Sequence, residues 1–203
     1  MLTDHEAERL RGATASTVLK RGLDVILAAI LLACTLPVML IACVAIMLDS
    51  PGPSFYLQWR SGRAGRPFRI VKLRTMVAGA DRVGPKLTQE ADPRVTRVGR
   101  VLRRWSLDEM PQLVNVLAGQ MSLVGPRPEL ISIVETYPPR HLQVLQVRPG
   151  VTGWAQVNGR DDLPIREKLE LDLEYVTNRT TLQDLFILAR TVAVVLNGSG
   201  VKR

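Results

Sequence analysis

The sequence predicts an α+β fold that is predominantly helical, with a re-entrant membrane helix broken at Pro37, a small β-hairpin and interfacial amphipathic helices. Three observations lead to this prediction: an uncharged apolar run near the N-terminus, two short β-rich segments around a glycine-containing turn, and later segments with helical periodicity. We expect an N-terminal extension over residues 1–19, the membrane helix over 20–50, and a domain at the membrane interface over 51–203. A chain of 203 residues is long enough for that domain to bury a core.

The apolar run covers residues 25–48 and contains no charged residue. As a straight helix it would reach about 36 Å, enough to cross the apolar part of a bilayer. The run is too long and too far from the N-terminus for a signal peptide, and a domain of this size would not surround it as a core helix. Pro37 lies near its middle, where it removes one helix hydrogen bond and favours a kink.

Basic residues flank this run on both sides, whereas the positive-inside rule predicts that a single span carries its excess of basic residues on one side only. A helix bent at Pro37, with both ends on the cytoplasmic face, fits the symmetry better. A straight span followed by a domain that is basic for other reasons is the alternative. The flanking basic residues are Arg9, Arg11, Lys20, Arg21, Arg60, Arg63 and Arg66.

Aromatic and β-branched residues predict the hairpin, in "SFYLQWR" and "RPFRIVKLRT" on either side of "SGRAG". Next, "VTRVGRVLRR" at 95–104 predicts a short helix with arginines along one face. A second helix is expected from Asp108 to Ala118, with Gly119 as its left-handed cap. The Gly- and Pro-rich stretches "VGPRPE" and "RPGVTGWAQVNGR" are predicted to be loops.

Two further helices are expected near the C-terminus. Pro164 opens the first, and the second, at 182–196, carries an apolar stripe with a 3.6-residue period. The second is too short and too charged to span a membrane. Its stripe either covers the core, which we favour, or lies at the membrane interface.

Composition narrows the function. The net charge of +8 favours an anionic partner such as nucleic acid, anionic lipid headgroups or a phosphorylated substrate. The only histidines, His5 and His141, are far apart, which argues against a His-based zinc site and a His-dependent hydrolase. Cys34 and Cys43 both lie in the apolar run, where they act as small apolar residues and imply no oxidising compartment.

The adjacent acids Asp108 and Glu109 in "SLDEMPQL" admit two interpretations. In the structural one, Asp108 is the N-cap of the following helix, with Pro111 in its first turn, or Ser106 caps with Glu109 as its capping-box partner. In the chemical one, Asp108 is a nucleophile that attacks phosphorus, with a neighbouring carboxylate and a hard cation such as Mg²⁺ beside it. The two prolines around Arg127 in "PRP" would hold its guanidinium ready for bidentate phosphate binding.

Several motifs occur together in one order: "KRGLDVILA", "FRIVKLRTM", "DPRVTRVGRVLRRWSLDEMPQLVNVLAGQMSLVGPRPE" and "RPGVTGWAQVNGR". Over about residues 18–200 the chain resembles the bacterial sugar transferases, the monotopic phosphoglycosyl transferases that act on polyprenol phosphate. The resemblance implies transfer of a sugar-1-phosphate from a UDP-sugar to undecaprenyl phosphate through a covalent aspartyl intermediate, with release of UMP. This is the first membrane-bound step in building a surface glycan.

The resemblance also implies the site residues. The nucleophile falls on Asp108 and its partner carboxylate on Glu109, with Mg²⁺ beside both. The implied phosphate-binding positions are Arg103, Arg127, Arg160 and, on the strand "FRIVKLRTM", either Lys72 or Arg74. The implied location is the bacterial inner membrane, with residues 51–203 as a cytoplasmic catalytic domain in contact with membrane lipids.

One motif departs from the family: relatives often carry Ser-Pro at the helix break, where this chain has Leu36-Pro37. Thr35, one residue earlier, is a candidate to bond a backbone carbonyl in place of the missing serine. The chain begins shortly before "KRGLD", which suggests a minimal catalytic unit. The rival functions are a membrane-tethered nucleic-acid-binding module and a structural adaptor. Both leave the acid pair among arginines unexplained, so no nucleic acid is expected. The sugar and the oligomeric state stay open.

Overall fold

The computed structural model describes residues 4–84, 89, 91–159 and 163–197, with the backbone alone for residues 4–16. Helices dominate this part of the chain, beside two two-stranded sheets, which confirms the predicted α+β class. In chain order the elements are α1 (Asp4–Asp49), β1 (Phe55–Ser61), β2 (Pro67–Leu73), α2 (Arg97–Arg104), α3 (Gln112–Leu117), β3 (Ser122–Val124), α4 (Ile131–Val134), β4 (Gly150–Thr152), α5 (Trp154–Val157), α6 (Ile165–Asn178) and α7 (Thr181–Asn197). Short 3-10 turns occur at Arg63–Gly65, Leu107–Glu109 and Pro139–Gln146.

The apolar run forms the second half of α1, which stays helical through Pro37. The predicted break is therefore not an interruption of the helix: Pro37 only deprives the carbonyl of Ala33 of its usual N–H donor. Thr35 does bond a backbone carbonyl, but its hydroxyl donates to the carbonyl of Leu31, with an O–O distance of 2.7 Å. The carbonyl that Pro37 frees is a different one.

One face of α1 lies on the rest of the domain along the whole apolar run. Asp24, Ala28, Met39, Ala42 and Ile46 recur at helical spacing on that face and are all buried. The other faces expose large apolar side chains, and only 17% of the most apolar 18-residue window is buried. By length and composition α1 could cross a membrane from Thr17 to Asp49, and its exposure is unlike that of a core helix.

Both ends of the apolar run are fixed to the same domain. At the start, the Asp24 carboxylate accepts hydrogen bonds from the Ser122 hydroxyl (2.8 Å) and the Leu123 N–H (3.1 Å). At the end, the Arg74 guanidinium donates to the carbonyl of Ser50 (2.6 Å). A straight helix from residue 24 to residue 50 is about 39 Å long. The domain therefore contacts α1 over a length comparable to the thickness of a bilayer.

The predicted hairpin is confirmed as the antiparallel pair β1–β2, in which Phe55 lies opposite Leu73 and Ser61 opposite Pro67. Phe68 and Ile70 of β2 are buried in the main core, on the face that also carries Lys72. The opposite face of β1 stays exposed.

A second, parallel sheet joins β3 to β4 and was not predicted: β4 lies within a stretch predicted as loop, and β3 overlaps the other predicted loop only at Val124. Its strands have three residues each, and their backbones approach closely at glycines. A Cβ on Gly150 would lie 2.2 Å from the nitrogen of Gly125, and one on Gly153 would lie 2.2 Å from the oxygen of Gly125. Only glycine fits there, and this contact fixes the loop that begins with "GPRP".

The helices after residue 160 match their predicted positions, but the apolar stripe of α7 does not pack as we favoured. Its large members Leu182, Leu185, Phe186, Val192 and Leu196 are all exposed. The domain instead packs against the opposite side of α7, where Asp184 and Ile187 are buried. The core interpretation of this stripe is therefore wrong, and an interfacial role fits its exposure.

Candidate functional site

The acid pair does not cap a helix. Ser106 has a left-handed backbone (φ 54°), Asp108 and Glu109 lie in the 3-10 turn that follows, and α3 begins later with Pro111 as its N-cap. Ser106 makes no side-chain capping bond in this turn. Asp108 is a buried residue inside the turn and not the first residue of α3. Both capping interpretations are therefore wrong, and the turn instead directs two carboxyl groups into a cluster of basic residues.

Glu109 is held by two cations. Its Oε1 accepts from Lys72 Nζ at 2.9 Å and from Arg127 Nη2 at 2.8 Å. Burial alone would raise the pKa of Glu109, but the charges and hydrogen bonds of Arg127 and Lys72 outweigh it and hold that pKa well below its usual range. Glu109 is therefore ionised and fixes the direction of both basic side chains.

Asp108 has the opposite electrostatic character. Burial and the adjacent charge of Glu109 raise its pKa, against the opposing charges of Lys72, Arg103 and Arg127. Within the described ranges no group donates a hydrogen bond to its carboxylate. Two adjacent carboxyl groups with pKa values shifted in opposite directions, in a cluster of cations, are typical of a reactive site.

The structure separates the two basic positions that the sequence left open. Lys72 points from β2 to Glu109. Arg74 follows the end of β2, and its guanidinium donates to the carbonyls of Ser50, Pro51 and Gly52 just after α1. Arg74 is thus bound to backbone away from the acid pair. Of the two positions, only Lys72 lies in the site, and Arg74 holds the turn after the apolar helix.

Contacts with neighbouring elements position the basic side chains Lys72 and Arg103. Lys72 is aligned because the Asn115 amide of α3 holds the backbone of β2: its Nδ2 donates to Arg69 O (2.7 Å) and its Oδ1 accepts from Val71 N (3.1 Å). Arg103 is placed by the close approach of α2 to residue 75, and its Nε donates to the Thr75 hydroxyl at 2.9 Å. Gly99 permits that approach, because a Cβ there would lie 2.0 Å from the Thr75 carbonyl oxygen.

A further buried acid, close enough to Arg127 to be affected by its charge, was missed by sequence reasoning. Asp172 of α6 is buried, and its Oδ1 has no hydrogen-bond partner among the residues that the structure describes. Burial and the charge of Glu129 raise the pKa of Asp172 to about 8, while Arg127 and Lys168 oppose the shift. One signal could have revealed it: Asp172 occupies an apolar stripe of α6 between Leu169 and Leu173.

Arg160, the remaining predicted phosphate-binding residue, lies outside the described residues. Within the described ranges no group of three or more His, Cys, Asp or Glu side chains could hold a metal. Asp108 and Glu109 offer carboxylate oxygens, and Mg²⁺ is commonly held by one or two carboxylates with substrate phosphates completing its shell. The donor set therefore fits Mg²⁺ once a phosphorylated substrate is present.

Comparison with known proteins places this arrangement in a family. The sequence matches the family model described as bacterial sugar transferase over residues 15–198, nearly the whole chain. The chain belongs to the bacterial sugar transferase family. The resemblance on which the site residues were predicted is thereby confirmed.

Three relatives show how this sugar transferase compares with others. It is 45% identical over 185 residues to the UDP-glucose:undecaprenyl-phosphate glucose-1-phosphate transferase of Caulobacter vibrioides, covering 87% of this chain and 69% of that protein. It is 41% identical over 190 residues to the UDP-N-acetylgalactosamine-undecaprenyl-phosphate N-acetylgalactosaminephosphotransferase of Aeromonas hydrophila, covering 91% of this chain but 45% of that protein. The uncharacterised sugar transferase EpsL of Bacillus subtilis is 42% identical over 186 residues, which cover 92% of this chain and 91% of that protein. The chain thus spans less than half of the Aeromonas relative and nearly all of the Bacillus one.

Proposed function

We propose that this sugar transferase moves a sugar-1-phosphate from a UDP-sugar to undecaprenyl phosphate and so starts the assembly of a surface glycan. The observation that carries the proposal is the buried Asp108 next to Glu109, whose carboxylate holds Lys72 and Arg127. The names of two relatives that match most of this chain support the donor and acceptor classes. Those names differ in the sugar at similar identity, so family membership does not identify it.

The reaction proceeds in two displacements. A carboxylate oxygen of Asp108 attacks the β-phosphorus of the donor, and UMP leaves with the electron pair of the broken phosphorus–oxygen bond. The sugar phosphate is then bound to Asp108 as an acyl phosphate, a mixed anhydride. An oxygen of undecaprenyl phosphate attacks the same phosphorus, and the Asp108 carboxylate leaves, which regenerates the enzyme and forms undecaprenyl-diphosphate-sugar.

The basic residues stabilise the negative charge on the phosphoryl oxygens in both displacements. Phosphoryl transfer depends mainly on positioning and on cations aimed at the phosphoryl oxygens. Glu109 orients Lys72 and Arg127, and Arg127 has 36% of its side chain exposed, so it can reach an entering phosphate. Burial and Glu109 raise the pKa of Asp108, and the charges of Lys72, Arg103 and Arg127 oppose that rise and so favour the nucleophilic carboxylate. We expect Mg²⁺, bound by Asp108 and Glu109 together with donor phosphates, to supply further positive charge.

We also propose that the enzyme is monotopic at the bacterial inner membrane and faces the cytoplasm. The support is that Asp24 and Ser50, at the two ends of the apolar run, are bound to one domain while large apolar side chains between them stay exposed. A helix that crossed to the far side would separate its ends. Cysteines introduced at the exposed positions Thr17 and Ala64, in a chain without Cys34 and Cys43, should both react with a membrane-impermeant maleimide from the cytoplasmic side alone. Labelling from opposite sides would contradict this topology.

The chemical proposal is tested by intact mass spectrometry. Purified enzyme is incubated with Mg²⁺ and a panel of UDP-sugars without lipid acceptor, and the mass of one sugar phosphate should be added for the correct donor. Asp108→Asn should show neither adduct nor turnover. Glu135→Gln, which makes the same carboxylate-to-amide change at an exposed acid just after α4, is the matched control and should behave like wild type. Full turnover by Asp108→Asn, or wild-type turnover without any adduct, would contradict the covalent mechanism.

A further inference from the structure

The outer face of the β-hairpin exposes an apolar strip. Alternation along β1 places Phe55, Leu57 and Trp59 on one side, and they are 46%, 51% and 53% exposed. Val71 lies opposite Leu57 on the same face. Three large side chains exposed in one row on a short strand are more than the scattered apolar residues of an ordinary surface.

This face is continuous with the apolar helix. Leu73, the cross-strand partner of Phe55, is buried in a cluster with Ala42 and Ile46 of α1. The Ser54 hydroxyl, one residue before β1, donates to the carbonyl of Cys43 at 3.0 Å. The strip therefore begins where the hairpin touches α1.

The charges around the strip suit an anionic lipid surface. From Ser50 to Ala80 the sequence has six basic residues and no acid. Arg69, opposite Trp59, places its guanidinium 5.3 Å from the centre of the indole. Tryptophan beside arginine is favoured at the level of lipid headgroups, where the ring is partly buried and the cation meets phosphate. Arg63 and Arg66, which are exposed at the turn of the hairpin, add attraction to anionic lipids, whereas Lys72 and Arg74 are held by their own partners.

We propose that this outer face, formed by Phe55, Leu57, Trp59 and Val71 with Arg69, is a second membrane contact that lies in the headgroup region of the bilayer. The inference rests on the proposed membrane association of α1 and adds a surface to it. Because Lys72 projects from the opposite face of the same strand pair, this contact sets the height of the basic cluster above the lipid. The hairpin thus couples membrane depth to the position of the site.

Site-directed spin labelling of the full chain in vesicles with anionic lipid tests this inference. In a chain whose native cysteines are replaced by alanine, a nitroxide is placed by Leu57→Cys, by Ile30→Cys on the exposed face of α1, or by Leu142→Cys. Leu142 is exposed like Leu57 but lies on the 3-10 turn Pro139–Gln146, outside the strip. Collision rates with oxygen, which concentrates in lipid, are compared with those of a water-soluble nickel chelate.

The quantity compared is the ratio of the collision rate with oxygen to that with the nickel chelate. We expect this ratio to be several-fold higher for the label at position 57 than for the label at position 142, and lower than for the label at position 30. A label at 57 as accessible to nickel as the one at 142, while the label at 30 is in lipid, would overturn the hairpin contact and leave the membrane helix standing. Water exposure at both 30 and 57 would instead contradict the membrane association itself. Spin–spin broadening at 57 that disappears on dilution with unlabelled protein would show that a second copy covers this face, and would also overturn the inference.

Discussion

Gly99 connects the packing of α2 to catalysis. A Cβ at this position would lie 2.0 Å from the carbonyl oxygen of Thr75, whereas real contacts of this kind are not shorter than about 3 Å, so Gly99→Ala must move α2 by about 1 Å. Overpacking of this size costs about 1–3 kcal/mol of the free energy of unfolding. Because α2 carries Arg103 beside Thr75, the same shift displaces a cation from Asp108, and a misplacement of about 1 Å can lower a rate roughly 100-fold.

The assay pairs denaturant unfolding in detergent with the initial rate of adduct formation. The matched control is Gly22→Ala on α1, where a Cβ meets nothing within 4 Å. That change should stabilise the helix by up to about 1 kcal/mol and leave the rate unchanged. If Gly99→Ala were as stable and as fast as wild type, the close contact between α2 and residue 75 would have no role in placing Arg103.

Two further predictions concern buried charges. Arg74→Met should lower the free energy of unfolding by about 3 kcal/mol, because three carbonyls after α1 lose a charged donor. Lys72→Met should leave most of the stability in place, because Glu109 keeps Arg127 as a partner, and should instead slow adduct formation at least about tenfold. Thermal unfolding and adduct rates measured on both variants check this. Asp172 has a folded-state pKa raised to about 8, so the folded state binds its proton more tightly and wild type should lose stability as the pH rises from about 4 towards 8. Asp172→Asn should abolish this loss. In denaturant titrations between pH 5.5 and 7.5, the free energy of unfolding of the variant minus that of wild type should therefore grow with pH, by at most about 1.4 kcal/mol per pH unit. A difference independent of pH would contradict the raised pKa of Asp172.

The sequence predicted the elements whose pattern is local. The hairpin and the helices α2, α6 and α7 follow from alternation, helical period and turn residues, and the structure confirms them. The sheet of β3 and β4 could not be predicted in this way, because its three-residue strands are defined by close approach at glycines distant in sequence. The outward direction of the α7 stripe was also missed, because period alone reveals that a helix is amphipathic and not which solvent its apolar side meets.

In the candidate site, too, local sequence patterns and tertiary packing lead to different expectations. Local capping rules describe Asp108 as a helix start, but tertiary packing puts Ser106 in a left-handed conformation and buries the acid among cations. Lys72 and Arg74 share one side of an ideal strand and are equivalent by alternation. They separate because β2 ends at Leu73, after which Arg74 meets the carbonyls that follow α1.

The anchoring of α1 also constrains the order in which the chain is made. Asp24 accepts hydrogen bonds from Ser122 and Leu123, and Lys20 donates to Asp184 at 2.6 Å, so each partner is synthesised 98 to 164 residues after the α1 residue that it contacts. On the ribosome the first helix must therefore wait with unmatched charges while its apolar half is already available to the bilayer. If α1 inserts as proposed, insertion precedes closure of the domain, and the nascent enzyme acquires its lipid environment before its active centre exists.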